Sequence, residues 1–278
     1  MKFLKIFPLL VFAAFLAVAI SLWLALDNIF YLFNFLYIGT FISVGILLFF
    51  VKKSKYARLV VQIGVGMYMM VYLGIIHREN MNIAGFWFYL FNGLFQAAVI
   101  HYLVAKILGP LLFGRGWCGW ACWTGAVLDL FPFKKPCGKK IKGLGLAKYL
   151  FFIVPLVTVV ILFVLRADNM ENIMWWSFIG GNILYYAIGI VLAFVLKDNR
   201  AFCKYICPVV VFLKPASHFS LLRFKSIDEN CVKCRLCEKA CPMEVEITNP
   251  SRKRKNATEC IACCECIRAC PKKSKKLF

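Results

Sequence analysis

The stretch Cys231-Val-Lys-Cys234-Arg-Leu-Cys237-Glu-Lys-Ala-Cys241-Pro242 and its counterpart Cys260-Ile-Ala-Cys263-Cys-Glu-Cys266-Ile-Arg-Ala-Cys270-Pro271 decide how the C-terminal end of this chain is read. Each run has three thiols at Cys-x-x-Cys steps and a fourth, four positions on, followed by proline. Three closely spaced thiolates can wrap three corners of an iron–sulfur cubane, and the fourth leaves toward a second cubane. Two such runs predict crossed ligation of two [4Fe–4S] clusters. Cys231, Cys234, Cys237 and Cys270 are expected to hold one, and Cys260, Cys263, Cys266 and Cys241 the other. A zinc ribbon needs four cysteines per site, but has no use for a third Cys-x-x-Cys step or a Cys-Pro ending in both halves. Cys264, lying between two of these ligands, is read as a small packed residue.

Ahead of this end the composition changes. The chain of 278 residues is 62% hydrophobic, with mean hydropathy +0.76, which puts it in the membrane class. Its formal charge is nevertheless +21. Both properties coexist because they are segregated: apolar runs come first, and Lys, Arg and Cys crowd residues 197–278. Six apolar segments have the length needed to cross about 30 Å of hydrocarbon: Phe7–Leu26, Ile29–Val51, Leu59–Ile76, Ile83–Val104, Tyr149–Leu165 and Ile173–Leu196. The first resembles a signal peptide, with Ala17-Val18-Ala19 as a cleavage-like site. Its apolar run continues past that site, so it is read as an uncleaved signal anchor.

The expected fold is therefore an all-α polytopic membrane bundle of about six transmembrane helices, residues 1–225, followed by a small α+β ferredoxin-like domain with two [4Fe–4S] clusters, residues 226–278. With the N-terminus inside, the outside loops hold only Arg78 and Arg166 among 34 Lys and Arg. The reverse orientation would translocate Lys52-Lys53-Ser54-Lys55, Lys134-Lys135 and Lys139-Lys140. Basic loops stay in the cytoplasm, so both termini are expected there, in a multi-pass protein of the cell inner membrane. A reducing compartment disfavours disulfides among the fourteen cysteines.

A second constellation repeats within the chain. Arg115-Gly-Trp-Cys118-Gly-Trp-Ala-Cys122 and Arg200-Ala-Phe-Cys203-Lys-Tyr-Ile-Cys207-Pro208 both read Arg-x-aromatic-Cys-x-aromatic-x-Cys, and both follow an apolar segment toward the cytoplasm. On one helix, residues at i and i+4 share a face. Two such turns facing each other would bring Cys118, Cys122, Cys203 and Cys207 to one point, a third redox or metal site. Packing is the plainer reading of buried cysteines, but two matched copies with a preceding arginine favour a shared site. Cys137 has no partner at ligand spacing.

His101 lies inside an apolar segment, where an ionisable group is a functional candidate. His77, Arg78 and Glu79 at an outer loop are a candidate quinone site. His218 carries no clear signal. The basic runs Arg252-Lys-Arg-Lys255 and Lys272-Lys273-Ser-Lys275-Lys276 are read as attraction to anionic lipids or as steering of an acidic electron carrier, with no nucleic acid bound. The chain shows no phosphate-binding Gly-rich loop, dinucleotide fingerprint or hydrolytic triad, and no catalytic residue is assigned.

From about Gly114 to Pro271 these motifs resemble the membrane polyferredoxins related to NapH, the quinol-dehydrogenase membrane subunit of periplasmic nitrate reduction, and to the membrane part of NosR. That family carries two Cys-x-x-x-Cys-Pro motifs; here Pro208 follows the second and Trp123 the first. The resemblance implies electron transfer between the membrane, its quinol pool or a periplasmic partner, and cytoplasmic clusters. Expected partners are a ferredoxin, a flavodoxin or a periplasmic or membrane oxidoreductase. The alternative is a redox-sensing or metalloenzyme-maturation accessory protein using the same clusters and membrane-edge thiols.

Overall fold

The computed structural model describes residues 2–50, 56–136, 141–221, 224–225, 231–248, 258–272 and 276–277. The first two helices, α1 (Lys2–Leu26) and α2 (Ile29–Phe50), form the expected hairpin. Asp27 takes a positive φ of 46°, and the Asn28 side chain accepts from the Phe30 N–H at 2.9 Å, so two polar residues suffice for the turn. In the membrane window of α1 only 6% of residues are buried. Its apolar side chains face outward, as they would toward lipid. The next helix, α3 (Ala57–Ile76), hydrogen-bonds i to i+5 from Gln62 onward, a widened form that is rare at this length.

The sequence predicts one unbroken fourth span, Ile83–Val104; the structure corrects this to two helices, α4 (Ile83–Phe91) and α5 (Ala97–Phe113). Gly93 at φ +67° ends α4, and the Asn92 amide donates back to the Phe88 carbonyl at 2.9 Å. The break is tolerable because side chains satisfy the freed backbone. Glu79 accepts from the Ala97 N–H at 3.0 Å, and Tyr31 donates to the Phe95 carbonyl at 3.0 Å. Asn80, fully buried, donates at 2.8 Å to the Met174 carbonyl and to Ser177, and accepts from the Asn82 N–H at 3.0 Å. Away from water an unpaired backbone group costs as much as a lost hydrogen bond, so these contacts hold the segment from His77 to Phe95 against the bundle.

Two short helices follow at the end of α5: α6 (Gly116–Trp120) and α7 (Trp123–Leu128). Then come α8 (Ala147–Val164) and α9 (Met170–Val195), close to the predicted fifth and sixth spans. The described residues thus hold five helices long and apolar enough to cross a membrane, with α5 as a shorter apolar one. Beyond α9 lie α10 (Ala201–Tyr205) and α11 (Val210–His218).

The C-terminal residues build two four-residue helices, α12 (Leu236–Lys239) and α13 (Glu265–Arg268). Strand β1 (Phe224–Lys225) pairs antiparallel with β2 (Lys276–Leu277). Among the described residues this pair, with only β2 inside residues 226–278, is the whole strand content of the C-terminal part. The basic cluster Lys52–Lys55, Lys139-Lys140, Cys137, the run Arg252–Lys255, and Lys273 to Lys275 lie outside the described residues.

Candidate functional site

Two hollows in the C-terminal part are lined by cysteines. One is bordered by Cys231, Cys234, Cys237 and Cys270. The other is bordered by Cys241, Cys260, Cys263 and Cys266. The fourth cysteine of each run therefore faces the first three of the other. The two loops match in backbone as well as in sequence. Lys233 and Ala262 both hold positive φ, 51° and 52°, as do Arg235 and Cys264, 57° and 63°. Left-handed non-glycine residues are strained and gather at functional sites. Burial pushes the Cys263 thiol up to about 12, with Arg58 pulling the other way. Burial also raises Cys266. An uncompensated thiolate is disfavoured there and calls for nearby positive charge. The Val245 N–H already points at the Cys241 sulfur, 3.4 Å away.

Among the described residues no three His, Cys, Asp or Glu side chains are gathered closely enough to hold a single metal ion. A cubane spreads its four thiolates over its corners, which suits these wider hollows. Cys264 is buried against Phe49 and Ala57, and its thiol donates to the Ala262 carbonyl at 3.3 Å. Packing is its described role, although it also borders the second hollow.

The four membrane-edge thiols come together differently from the expectation. Cys118 sits in α6, but the helix stops before Cys122, which is extended at φ −76°, ψ 122° and caps α7. Cys207 likewise lies beyond the end of α10. The pairs do not share one helical face. They converge because two turns fold against each other, close enough that Cys118, Cys122 and Cys203 all act electrostatically on Cys207. Burial pushes the Cys203 thiol up to about 11, opposed by Arg200.

The arginines explain that convergence. Both are fully buried, with side-chain exposures of 0% and 1%. Arg115 pairs with Glu259 at 2.6 Å and donates to the Cys203 carbonyl at 3.4 Å. Arg200 pairs with Asp129 and donates to the Cys118 carbonyl at 3.2 Å. Arg58 reaches the same Asp129 at 2.6 Å. A third buried cation, Lys106 of α5, sits 5.2 Å over the Trp117 ring, with the His101 ring on the same indole at 5.2 Å. Lys106 was not singled out in the sequence, although a lone lysine inside an apolar run is the signal that marks it.

The cluster-bearing part docks on this edge. A Cβ at Gly119 would collide with the Ile261 carbonyl, so only glycine allows this approach. The Trp120 indole donates to the Ala262 carbonyl at 2.8 Å. Lys204, between Cys203 and Cys207, binds Asp198 at 2.7 Å and Glu244 at 2.5 Å. Cys118 belongs to the same buried cluster as Ile261, Cys263 and Cys266. Gly119, Lys204, Glu244 and Glu259 carry this interface, and no spacing in the sequence pointed to them or to Asp129, which braces Arg58 and Arg200 behind it.

A cavity of about 430 Å³ opens between α8 and α9. Its polar lining is Asn82, Thr158, Ser177 and Tyr185, within a wall of apolar side chains. His77, Arg78 and Glu79 do not line it. His77 instead packs on Tyr72 at 4.6 Å, and Arg78 lies 4.7 Å over Trp175.

Comparison with known proteins bears on the same residues. Residues 224–271 match the model of a 4Fe-4S dicluster domain, and residues 97–140 and 179–226 match a 4Fe-4S binding domain. The second match encloses Cys118, Cys122, Cys203 and Cys207. The uncharacterized protein MJ0750 of Methanocaldococcus jannaschii is 30% identical over 176 residues, 58% of this chain and 71% of that protein. The chain belongs to the same family. It is one of membrane-type iron–sulfur proteins. Another member of that archaeon, MJ0749, is 29% identical over 177 residues, 60% of this chain and 65% of its own length. The putative electron transport protein YccM of Escherichia coli is 23% identical over 187 residues, 60% of this chain and 52% of its own. The chain thus spans about half to seven-tenths of these relatives. No solved structure matches it.

Proposed function

We propose that this chain is a multi-pass inner-membrane electron-transfer protein that moves electrons between the membrane and two [4Fe–4S] clusters on its cytoplasmic side. Cys231, Cys234, Cys237 and Cys270 hold the first cluster; Cys260, Cys263, Cys266 and Cys241 hold the second. Cys118, Cys122, Cys203 and Cys207 form a third redox site at the membrane edge. When bound, the clusters supply one-electron carriers, and the protein sets their position and environment.

The observation that carries this reading is the contact of Gly119 with Ile261, which seats the second cysteine run on the first membrane-edge motif. Electron tunnelling falls off steeply with distance, so redox centres in series must be packed close together. Cys118 and Cys263 share one buried cluster, and the first hollow adjoins the second through the crossed cysteines. Arg115, Arg200 and Lys106 bring positive charge to four thiolates and a cluster that would otherwise be anionic and buried. On the membrane side the carrier is a quinol, as the NapH-type resemblance implies. The cavity between α8 and α9 suits its size and character, and the Tyr185 ring in its wall lies 5.5 Å from Phe202, beside Cys203.

The test is anaerobic purification with iron and sulfide analysis. About eight of each are expected from the two runs, and about twelve if the membrane-edge thiols also hold a cubane. Cys241→Ser should damage the cluster of Cys260, Cys263 and Cys266, and Cys270→Ser that of Cys231, Cys234 and Cys237, resolved by EPR. Stoichiometric zinc without acid-labile sulfide would overturn the reading.

A further inference from the structure

The two cysteine runs are matched residue for residue, yet they meet very different surroundings. In the second run the loop and its helix form a docking face. Ile261 is 1% exposed and lies against Gly119. The Ala262 carbonyl takes the Trp120 indole. Cys264 packs on Phe49 and Ala57, Glu265 meets Arg58 at 3.5 Å, and Arg268 sits 4.9 Å over the Phe49 ring. Every one of these contacts goes to the membrane bundle.

The matching positions of the first run are Val232, Lys233, Arg235, Leu236 and Lys239, and all five are exposed. Val232 is 62% exposed and Leu236 44%. Cys234, which borders the first hollow, is exposed too, whereas its counterpart Cys263 is buried. Among the described residues no membrane helix covers this face. Val232 and Leu236 thus stand open to solvent among the exposed charges of Lys233, Arg235 and Lys239, an apolar centre with a polar rim.

The charged members of that face are Lys233, Arg235 and Lys239, all basic. Of the acids among the described residues, Glu244 binds Lys204, Glu259 binds Arg115 and Lys214, and Glu265 binds Arg58. Glu238 is taken up by Thr248, whose N–H donates to it at 2.8 Å. Lys233, Arg235 and Lys239 are left pointing outward, with Lys272 also exposed beside the hollow.

We infer that the face formed by Val232, Lys233, Arg235, Leu236 and Lys239 is the docking surface for an acidic, water-soluble one-electron carrier protein, which exchanges electrons with the cluster of Cys231, Cys234, Cys237 and Cys270. This rests on the electron-transfer reading above. In each encounter one electron moves. The carrier is oxidised by one electron as the cluster is reduced by one, or the reverse, with no proton or bond transferred. The chain would then use one loop design twice, once turned to the membrane and once turned to solvent.

The experiment uses the full chain, cluster-loaded, in nanodiscs of zwitterionic lipid. The probe is an acidic [2Fe–2S] ferredoxin, pre-reduced and freed of reductant, mixed by stopped flow under anaerobic conditions. The wild-type second-order rate should fall steeply with added salt. The triple variant Lys233→Glu, Arg235→Glu, Lys239→Glu should react about tenfold or more slowly at low salt and lose most of the salt dependence. Val232→Ser with Leu236→Ser should slow transfer at all salt concentrations. Lys142→Glu and Lys197→Glu, on exposed lysines elsewhere, should react as wild type. All variants must keep wild-type iron content and be reduced by dithionite.

A triple variant that reacts at the wild-type rate overturns the inference. So does an equal loss in the two control variants, which would make the effect one of bulk charge. A third contrary outcome is an unchanged ferredoxin rate with lost binding to anionic vesicles, which would assign the face to lipid. A wild-type protein that dithionite cannot reduce instead brings down the electron-transfer reading itself.

Discussion

Arg115 and Arg200 brace each other's motif: the first donates to the carbonyl of Cys203 and the second to the carbonyl of Cys118. Each also anchors an acid, Glu259 and Asp129 respectively. Arg115→Met therefore takes a buried cation from Glu259, and Arg200→Met takes one from Asp129, which keeps Arg58 and Gln62. Removing one partner of a buried pair costs about 3–5 kcal/mol, and thermal unfolding in detergent should register it for both variants. Lysine should not rescue either site, because one ammonium cannot make the forked contacts of a guanidinium. Full stability in Arg200→Lys would contradict this.

Gly119 sets the distance between the bundle and the second cysteine run. Valine there must push back the Ile261 backbone, and overpacking of this kind costs about 1–3 kcal/mol. The expected result is a C-terminal part that proteases release more readily, with the membrane helices unaffected. Limited proteolysis of the variant in nanodiscs, read beside circular dichroism, is the measurement. A proteolysis pattern identical to wild type would show that the contact is not needed for docking.

The four membrane-edge thiols should behave as a unit. If they serve one site, Ser at any one of Cys118, Cys122, Cys203 or Cys207 abolishes the same electron transfer, and the Cys118/Cys203 double variant adds little more. Packing predicts modest, independent losses instead. The assay requires matched protein abundance and intact C-terminal clusters. Full transfer in any single variant leaves packing as the explanation.

Asp129 supplies a pH signature. Burial by itself would raise its pKa, but Arg200 and Arg58 outweigh burial and hold the carboxyl below the usual aspartate range. A folded value below the unfolded one adds stability that is fully present above the unfolded value, about 3.9, and is lost as pH falls through the folded value. The stability difference between wild type and Asp129→Asn should stay constant from pH 5 to 8, and shrink only below about pH 4. A difference that instead changes around neutrality would place the charge balance elsewhere.

Much of the site was legible in the sequence because ligand spacing is local. The two C-x-x-C-x-x-C-x-x-x-C-P runs and the repeated Arg-x-aromatic-Cys pattern named twelve cysteines without any knowledge of the fold. Hydropathy likewise located five spans to within a few residues. It failed at Ile83–Val104 because the window averages over Asn92-Gly93, and because the break is stabilised by Glu79, Tyr31 and Asn80, which lie elsewhere in the chain. The expected helical pairing of Cys118 with Cys122 failed for a related reason. The helix ends at Trp120, and Cys122 follows as an extended residue capping the next helix, so helical periodicity does not relate the two thiols.

By itself, then, the sequence determined what depends on neighbours along the chain: the candidate cluster ligands, the membrane class and the repeat of the two motifs. Only the tertiary structure decided which of two equivalent cysteine loops faces the membrane and which faces solvent. Ile261 and Val232 differ by one methylene group, and both are apolar residues in the same place in the motif. What separates them is that Gly119 lets one loop approach backbone to backbone, and that Arg58, Arg115 and Trp120 are positioned to receive it. Those residues come from distant parts of the chain, so the choice is made only when the fold brings them together.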